Sequence, residues 1–407
     1  MPKAPYRVCI LNRRFYRNIG SNANQTRLLA AGGRPWRECA IVGTKMSERI
    51  YNFSAGPATM PTEMLERAKA EFLSVRGSGM SVMEISHRSK LFDEILEKAE
   101  KGIRAALKVP NNYRVLFIQG GATLQFSMIP MNLLSPDNSA DHIVTGHWGA
   151  LAVEEASCIG DINVVYSGGE NGFSDVPKQG EVRFSQNASY VHYTSNETVD
   201  GVQFDYALDA GALPVVCDMS SDILSRPIDV EKYALIYAGA QKNLGPSGVV
   251  VVVIREDLLD WAPRRLPKQL TYKAYADNVS MPNTPNTWAI YLLGLMCDWL
   301  EEQGGTEGIE KVNREKARLM YEAIDKSDGF YKGRAKRSAR SLMNVTFSLP
   351  TPELDAKFVE EGEKNGFSGL KGHRSTGGIR ASIYNAFPLK GVELFVDFMA
   401  EFERKNG

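Results

Sequence analysis

The positions of apolar residues predict a chain that alternates between strands and helices. Apolar residues three or four positions apart predict a helix over residues 61–75, which Pro61 is placed to begin, and a stronger one over 91–107. Short apolar runs predict buried strands at Val115–Ile118, His142–Thr145, Asn163–Tyr166, Ser189–Tyr193, Pro214–Cys217, Leu235–Tyr237 and Val249–Ile254. Several runs lack polar alternation, which is typical of parallel strands covered on both faces. Strands interleaved with helices therefore predict an α/β fold with a mostly parallel central sheet.

The pattern changes after about residue 305. The elements predicted there are a helix over Glu307–Asp325, a strand over Leu342–Phe347, a helix over Leu354–Lys364, a strand over Ile379–Tyr384 and a last amphipathic helix. They form a unit of about a hundred residues, which is within the usual size of a domain. We therefore expect a large α/β domain over 47–305 and a smaller α+β C-terminal domain over 306–407.

Composition places the chain among ordinary globular proteins. Of its 407 residues, 43% are hydrophobic, and lysine plus arginine equal aspartate plus glutamate at 48 each. This balance gives no reason to expect a nucleic-acid or membrane partner, and no apolar run reaches the roughly 20 residues that span a bilayer. The five cysteines form no CxxC pair. Their scatter argues against a metal site or a disulfide framework and predicts a reducing, cytoplasmic location.

Residues 1–46 form a basic head that differs from the rest of the chain. They hold nine lysines and arginines against one acid, Glu38, so the remaining residues carry the compensating acidic excess. Two interpretations remain open. The head is an organelle transit segment, which has this composition, or a translated upstream region with true initiation at Met46. We favour the second, and in either case we expect the head to be disordered or outside the fold.

The segment YAGAQKNLGPSG, from Tyr237 to Gly248, is a candidate for covalent chemistry. Its lysine, Lys242, lies in a turn between two apolar strands and follows small residues. Burying a lysine is costly without a partner, and a lysine that forms an imine needs a lowered pKa and a fixed approach to a carbonyl. The alternative interpretation is a surface lysine on a loop, which this segment alone supports equally well.

Three further candidates lie where predicted strands end. Asp218 ends an apolar strand, at the edge where open α/β sheets bind ligands, and a carboxylate there can hold a pyridine nitrogen protonated; a helix cap or loop acid is the alternative. The segment QGGAT at Gln119–Thr123 precedes a helix, whose free N–H groups attract phosphate, although it lacks the full pattern of a nucleotide-binding loop. Trp148, between Gly146-His and Gly149, could lie flat on an aromatic cofactor, although a core tryptophan is commoner.

Two cationic clusters could bind anions. One contains His87 and Arg88 in EISHRSK, and the other contains His373, Arg374 and Arg380 in KGHRSTGGIR. Arginine forks suit carboxylates and phosphates, and the glycines around Arg374 permit a close approach. Solvated surface charge is the alternative for any one of these side chains.

Taken together, ordered segments of the chain resemble the phosphoserine aminotransferase family, a group of class-V aminotransferases within the fold type I enzymes that use pyridoxal 5'-phosphate (PLP). The segments are NFSAGP at 52–57, SVMEISHR at 81–88, ILSRPI at 223–228, YAGAQKN at 237–243, NTP at 283–285, and GHR at 372–374 with RASIYN at 380–385. The resemblance runs from about Ile50 to the C-terminus. It implies the fold of PLP-dependent transferases, PLP as cofactor and a homodimer with active sites at the subunit interface.

The resemblance also implies a role for each matching position. Lys242 would form the Schiff base with the cofactor and shuttle a proton, and Asp218 would pair with the pyridine nitrogen. Trp148 would stack on the ring, and Thr198 would contact its phenolic oxygen. The other positions would bind the cofactor phosphate (Ala122, Thr123 and Gln241, with Asn283 and Thr284 from the partner subunit) or the anionic groups of the substrates (His87, Arg88, His373 and Arg374).

The activity implied is a reversible transamination between glutamate and 3-phosphohydroxypyruvate, giving 2-oxoglutarate and O-phospho-L-serine for serine biosynthesis. Some members also act on 4-phosphohydroxy-L-threonine in pyridoxine biosynthesis. Some carry an arginine where this chain has Thr123, which leaves the mode of phosphate binding open. Another PLP enzyme, such as an alanine–glyoxylate transaminase or a cysteine desulfurase, and a non-catalytic binding protein are the rival functions. No cysteine lies in a Gly/Ser-rich loop, as a desulfurase would need, and retention of Lys242 and Asp218 argues against a non-catalytic scaffold.

Overall fold

The computed structural model describes residues 49–261 and 263–407, so both interpretations of the basic head concern residues outside the described ranges. The α-helices within these ranges are α1 Thr62–Ala70, α2 Lys90–Leu107, α3 Ala122–Leu133, α4 His147–Ser157, α5 Tyr272–Asp277, α6 Thr287–Glu302, α7 Gly305–Lys326, α8 Pro352–Lys364 and α9 Leu389–Asn406. The strands are β1 Tyr51–Asn52, β2 Tyr113–Gln119, β3 Ser139–Val144, β4 Ile162–Ser167, β5 Ala188–Thr194, β6 Asn196–Glu197, β7 Val202–Gln203, β8 Val215–Asp218, β9 Leu235–Gly239, β10 Val249–Arg255, β11 Lys332–Gly333, β12 Asn344–Ser348, β13 Phe367–Ser368 and β14 Ile379–Ser382.

A seven-stranded sheet forms the centre of the larger part of the chain. Its strand order is β2-β10-β9-β8-β5-β3-β4, and the pairs from β9 to β4 are all parallel. The predicted α/β class with a mostly parallel sheet is therefore confirmed. The valine-rich β10 is the exception, because it runs antiparallel to both β2 and β9. Its unbroken apolar run reflects burial on both faces, which says nothing about strand direction.

The helices beside this sheet form where the apolar period predicted them. In α2, the Ser89 hydroxyl accepts a hydrogen bond from the Phe92 amide and begins the helix. One apolar stripe of α2, from Phe92 to Leu107, is buried in the core on one face of the sheet. The opposite face is covered by α3 and α5, whose buried residues belong to a second apolar cluster. Burial on both faces fixes the sheet and leaves the ends of its strands free to carry polar groups.

The helix predicted over 61–75 is shorter than expected, because α1 ends at Ala70. Phe72 leaves the helical path and packs edge-to-face against Trp288, with the ring centroids 5.5 Å apart. Val75, which follows in a short 3-10 turn, is fully buried. Beyond Ala70 the chain is therefore held by contacts of Phe72 and Val75 outside the helix.

The C-terminal residues form their own core. The antiparallel sheet β11-β12-β14 packs with α7, α8 and α9 around an apolar cluster rich in phenylalanine. The parallel pair β1–β13 brings Phe53 into this same cluster. The domain boundary between residues 305 and 306 stays a prediction. No helix within the described ranges is long and apolar enough to cross a membrane.

Candidate active site

A cavity of about 250 Å³ lies at the carboxyl ends of β5 and β8, and we call it the Lys242 cavity. Segments that are far apart in sequence line it: Ala55, Gly56, Gly121, Ala122, Thr123, Phe126, Trp148, Thr194, Asn196, Thr198, Asp218, Ser220, Ser221, Gln241, Lys242, His373 and Arg380. Eight of the residues given roles from the sequence are among them. Carboxyl ends of parallel strands meet at one edge of a sheet, which explains why these positions converge.

Lys242 lies in a turn that is fixed by its neighbour. The Asn243 side chain donates a hydrogen bond to the Ile223 carbonyl at 3.0 Å and accepts one from the Asn385 amide at 3.0 Å. The Lys242 Nζ atom makes no hydrogen bond to any described residue and lies 5.6 Å from the centroid of the Trp148 ring. Burial lowers the pKa of Lys242, and the nearby Asp218 carboxylate opposes that shift. The turn thus presents a poorly solvated amine to the cavity.

Asp218 is the acid that lines the Lys242 cavity. It is the last residue of β8, and its Oδ1 atom accepts a hydrogen bond from the Ser220 amide at 2.8 Å. Burial raises the pKa of Asp218, while the Lys242 cation and the hydrogen bond from Ser220 lower it. A buried carboxylate held in this way can accept a hydrogen bond from a protonated ring nitrogen.

Trp148 is held at the start of α4 by the residues that follow β5. Its indole Nε1 donates to the Thr198 hydroxyl at 2.8 Å, and its amide donates to the Glu197 carboxylate at 2.9 Å. The Gly149 amide donates to the other oxygen of Glu197 at 2.8 Å. The indole is therefore fixed from both its backbone and its side chain.

Gly146 at the N-terminus of α4 has no side chain that could cap the helix. Two acids from a later segment of the chain bind its free amides instead. Glu197 binds two amides, and Asp200 accepts a hydrogen bond from the His147 amide at 2.9 Å. Burial raises the pKa of Glu197 to about 8, against the effect of the two amide donors. Neither acid was predicted from the sequence, although both stand in the segment NETVDG that surrounds Thr198.

The start of α3 also lines the cavity. Its N-terminal residue Gly121 provides no side-chain cap, and Ala122 and Thr123 follow in the first turn. Free amides at a helix start are a favourable environment for a phosphate group. Gln241 also lines the cavity. The donors expected for a cofactor phosphate are therefore present.

These residues fit PLP by their chemistry. The cavity offers an amine with a lowered pKa for the carbonyl, a carboxylate for the ring nitrogen, an indole for the ring face and uncapped helix amides for the phosphate. The buried hydroxyl of Thr194, which also lines the cavity, has no hydrogen-bond partner among the described residues. An acceptor or donor on a bound ligand would satisfy it.

Five predicted site residues do not line the cavity of their own chain. Arg88, Arg374, Asn283 and Thr284 are exposed, and His87 is half-buried. The Gln119 amide donates to the Thr284 carbonyl and, at 3.4 Å, to the Asn283 side chain. The roles of these five residues stay predictions.

Arg380 is a cavity residue that received no individual role from the sequence. It lies on β14, and its side chain donates only a long hydrogen bond of 3.5 Å, to the Thr198 carbonyl. No carboxylate among the described residues forms an ion pair with it, and burial lowers its pKa. Arg380 belongs to the second cationic cluster of the sequence. It lines the Lys242 cavity, as does His373 of the same cluster. Burial likewise lowers the pKa of His373.

Comparisons of the sequence and of the structure with known proteins lead to the same family. The sequence matches the Aminotransferase class-V family over residues 50–395. A phosphoserine aminotransferase of Laribacter hongkongensis (strain HLHK9) is 52% identical over 358 residues, which are 88% of this chain and 99% of that protein. The solved phosphoserine aminotransferase from Bacillus circulans subsp. alkalophilus has a TM-score of 0.87 and 50% identity, covering 89% of this chain and 100% of that one. The PLP-bound phosphoserine aminotransferase from Trichomonas vaginalis has a TM-score of 0.82 and 40% identity, covering 86% and 100%.

Proposed function

The chain belongs to the class-V aminotransferase family, as a PLP-dependent enzyme, and from this premise we propose that it is a phosphoserine aminotransferase. The reaction is a reversible transfer of the amino group of glutamate to 3-phosphohydroxypyruvate, which gives 2-oxoglutarate and O-phospho-L-serine. The observation that carries this proposal is the meeting of Lys242 and Asp218 in one cavity with the uncapped start of α3. Similarity to phosphoserine aminotransferases over nearly their whole length supports the choice of substrate.

The cofactor would be held by residues from each side of the cavity. Asp218 would bind the pyridine nitrogen, Trp148 would cover a ring face, Thr198 would reach the phenolic oxygen, and the amides of Ala122 and Thr123 would bind the phosphate with Gln241. When bound, PLP supplies a carbonyl that condenses with amines and a ring that accepts electrons from the substrate. The Asp218 carboxylate supports that capacity by keeping the ring nitrogen protonated.

Lys242 would act as the base and acid of the reaction. Its lowered pKa favours a neutral amine, which can take the proton of the substrate Cα onto Nζ and later return it. The hydrogen bonds of Asn243 hold the turn, so the amine approaches the substrate from one side. Trp148 and Phe126 add apolar surface that limits access of water.

Cationic side chains would select anionic substrates. Arg380 lines the cavity without an acid to pair with among the described residues, so its guanidinium is available to a substrate carboxylate. His373 lies beside it, and Arg374 follows on the same turn. His87 and Arg88 would complete the grip from a second copy of the chain. With Thr123 at the start of α3, the phosphate of the substrate would depend on these groups.

The biological role proposed follows from the product. O-Phospho-L-serine is a direct precursor of serine, so we assign the enzyme to serine biosynthesis. Action on 4-phosphohydroxy-L-threonine in pyridoxine biosynthesis is a further proposal that rests on the same phosphate-binding groups. A cytoplasmic location is supported by free cysteines at Cys158, Cys217 and Cys297.

A panel of substrates tests the proposed specificity. The purified holoenzyme is mixed with glutamate, and the change of the cofactor absorption is followed; the keto acids 3-phosphohydroxypyruvate, glyoxylate and pyruvate are then added separately. We expect 3-phosphohydroxypyruvate to restore the original spectrum with kcat/KM at least about 100-fold above the others, because only this keto acid has a phosphate for the cationic groups that remain once Arg380 binds the carboxylate. Equal rates with glyoxylate would favour the alanine–glyoxylate class instead, and an unchanged spectrum with glutamate would exclude this transaminase.

We also propose that the enzyme is a homodimer with shared active sites. His87, Arg88, Asn283 and Thr284 match the family positions but lie away from the cavity of their own chain. Exposed apolar side chains occur near them in sequence, including Met80, Met83 and Val279. Single apolar side chains are also common on monomer surfaces, so the proposal rests on the family positions.

Mixing two inactive variants tests the sharing of sites. In a randomly reassociated mixture of Lys242→Ala and Arg88→Ala, half of the dimers are hybrids, and each hybrid has one site with both native groups. We therefore expect recovery of about a quarter of the wild-type activity. The matched control pairs Lys242→Ala with Arg380→Ala, which line the same cavity of one chain and should not complement each other. Absence of recovery in the first mixture, with hybrid formation verified by mass, would contradict the shared site.

A further inference from the structure

A second cavity, which we call the Arg334 cavity, adjoins the Lys242 cavity. It has a volume of about 280 Å³ and is lined by residues of β11, β12 and the turn before β14. His373 and Arg380 line both cavities, so the two cavities share this part of their lining. A ligand in the second cavity would therefore lie close to the proposed substrate groups without occupying the space in front of Lys242.

The lining of the Arg334 cavity is basic. Lys332, Arg334, His373 and Arg380 contribute positive or titratable nitrogen atoms, and neither aspartate nor glutamate of the described ranges lines it. Ser348 and Thr376 add hydroxyl groups. Guanidinium, ammonium and hydroxyl donors without a lining acid are the arrangement that oxyanions favour.

Arg334 differs from the other half-buried arginines of the described ranges. Five of them each donate at least one side-chain hydrogen bond of 2.8 Å or less, namely Arg104, Arg226, Arg255, Arg264 and Arg340. Arg380 makes only its 3.5 Å contact with the Thr198 carbonyl. The Arg334 side chain makes no hydrogen bond to a described residue, and its Nε atom is buried without a partner there. Arg334 and Arg380 are thus the two of these half-buried arginines that make no short side-chain hydrogen bond, and both line this cavity.

Arg334 forms a long ion pair with Asp200 that includes no hydrogen bond. The Asp200 Oδ1 atom lies 3.7 Å from the Arg334 Nη2 atom, which is beyond hydrogen-bond distance. The other oxygen of Asp200 is already bound to the His147 amide at the start of α4. About a third of the Arg334 side chain stays exposed, at 34%. Its donors are thus available to a ligand in the cavity.

We propose that the Arg334 cavity is an oxyanion-binding subsite that takes a phosphate group, with Arg334 as its main ligand and Lys332 and Ser348 beside it. The phosphate is either free inorganic phosphate or the phosphate of a phosphorylated amino or keto acid. The subsite goes beyond the proposed function, because neither Lys242 nor Asp218 lines it and transamination does not require it.

The test is a calorimetric titration of the holoenzyme in phosphate-free buffer. The wild type, Arg334→Gln and Arg337→Gln are each titrated with inorganic phosphate and, separately, with O-phospho-L-serine. Arg337 is the matched control, because it is 80% exposed in the same segment and does not line the cavity. We expect Arg334→Gln to weaken one phosphate-binding event per protomer by about 10-fold or more, since a charge-assisted contact is lost. Arg337→Gln should bind as the wild type does.

The two ligands separate the two sources of phosphate. An Arg334-dependent event with both ligands supports a general oxyanion subsite, and one with O-phospho-L-serine alone supports a subsite for the organic phosphate. Equal stoichiometry and affinity in the wild type and Arg334→Gln with both ligands would overturn the proposal. If Arg334→Gln does not fold, Ser348→Glu places a carboxylate in the same cavity and should abolish the event; unchanged binding in that variant would overturn it equally.

Failure of this proposal is distinguishable from failure of the proposed function. The same preparations are assayed for transamination between glutamate and 3-phosphohydroxypyruvate, and kcat of Arg334→Gln should stay within about twofold of the wild type in phosphate-free buffer. Normal transamination without an Arg334-dependent event would overturn the subsite alone. An Arg334-dependent event in an enzyme without this activity would overturn the function and leave the subsite.

Discussion

Burial lowers the pKa of two lysines in different parts of this protein, and their surroundings differ. Lys242 borders the cavity at the strand ends, whereas Lys316 lies on α7 in the C-terminal core and is 0% exposed. Burial lowers the pKa of both, that of Lys316 to about 7. Judged by burial and pKa alone, Lys316 would be as good a catalytic candidate as Lys242.

Hydrogen bonding separates the two. The Lys316 Nζ atom donates to the carbonyls of Ile383 at 2.9 Å, Tyr384 at 2.6 Å and Phe387 at 3.1 Å, and only the protonated amine has a donor for all three. Lys242 makes no hydrogen bond to a described residue and faces an open cavity with a carboxylate nearby. A satisfied lysine is a structural tie, and an unsatisfied lysine at a cavity is available for chemistry. The comparison predicts opposite results of replacement. Loss of Lys242 should lower turnover and spare stability, whereas loss of Lys316 should lower stability and spare turnover.

The largest effect is expected from Lys242→Ala. Turnover with glutamate should fall by at least about a thousandfold, because the group that moves the Cα proton is lost. The free energy of unfolding of the apoenzyme should change by less than about 1 kcal/mol, since no hydrogen bond of the fold is removed. Steady-state kinetics and urea denaturation measure the two quantities, and borohydride reduction followed by peptide mapping locates the cofactor. Trapping of the cofactor on a different lysine in the wild type would contradict the assignment.

The contrast between these lysines also shows what sequence can and cannot reveal. Lys242 is predictable because it stands in a turn between two apolar strands, and because Asp218 and Trp148 stand at other strand ends of the same sheet. The pattern of apolar residues predicts where each strand ends, and parallel strands bring their carboxyl ends together at one edge of the sheet. Lys316 stands in a helix segment rich in charged residues and gives no sign of burial in the sequence, because the carbonyls that bind it belong to Ile383, Tyr384 and Phe387.

Other features that the sequence did not predict have equally specific physical causes. The direction of β10 was not predictable, because burial on both faces gives the same run of valines in a parallel and an antiparallel strand. Glu197 and Asp200 were overlooked because their partners, the first amides of α4, lie about fifty residues earlier in the chain. Asn283 was found by family resemblance alone, whereas Arg88 also stood out in a cationic cluster of the sequence, and a single chain brings neither residue to the cavity.

A smaller effect, on free energy instead of turnover, is expected from Lys316→Met. Methionine fills a similar volume but leaves three buried carbonyls without a donor, so the free energy of unfolding should fall by about 3 kcal/mol. The pyridoxal spectrum of the folded variant should match that of the wild type. The matched control is Lys311→Met in the same helix, where the side chain is exposed and a change within about 0.5 kcal/mol is expected. Loss of turnover without loss of stability in Lys316→Met would break the comparison.

The pH dependence of stability sharpens the assignment of Lys316 further. Its pKa is about 7 in the folded protein against an ordinary value of 10.5, so between these values the unfolded chain binds a proton that the folded chain has released. Stability from this group therefore rises with pH across the window, by up to about 1.4 kcal/mol per pH unit. Urea denaturation at pH 7, 8 and 9 should show the stability gap between the wild type and Lys316→Met widening with pH. If the stability difference between the wild type and Lys316→Met stays constant with pH, the three carbonyls keep the ammonium protonated despite its burial. Lys316 would then differ from Lys242 in charge as well as in hydrogen bonding.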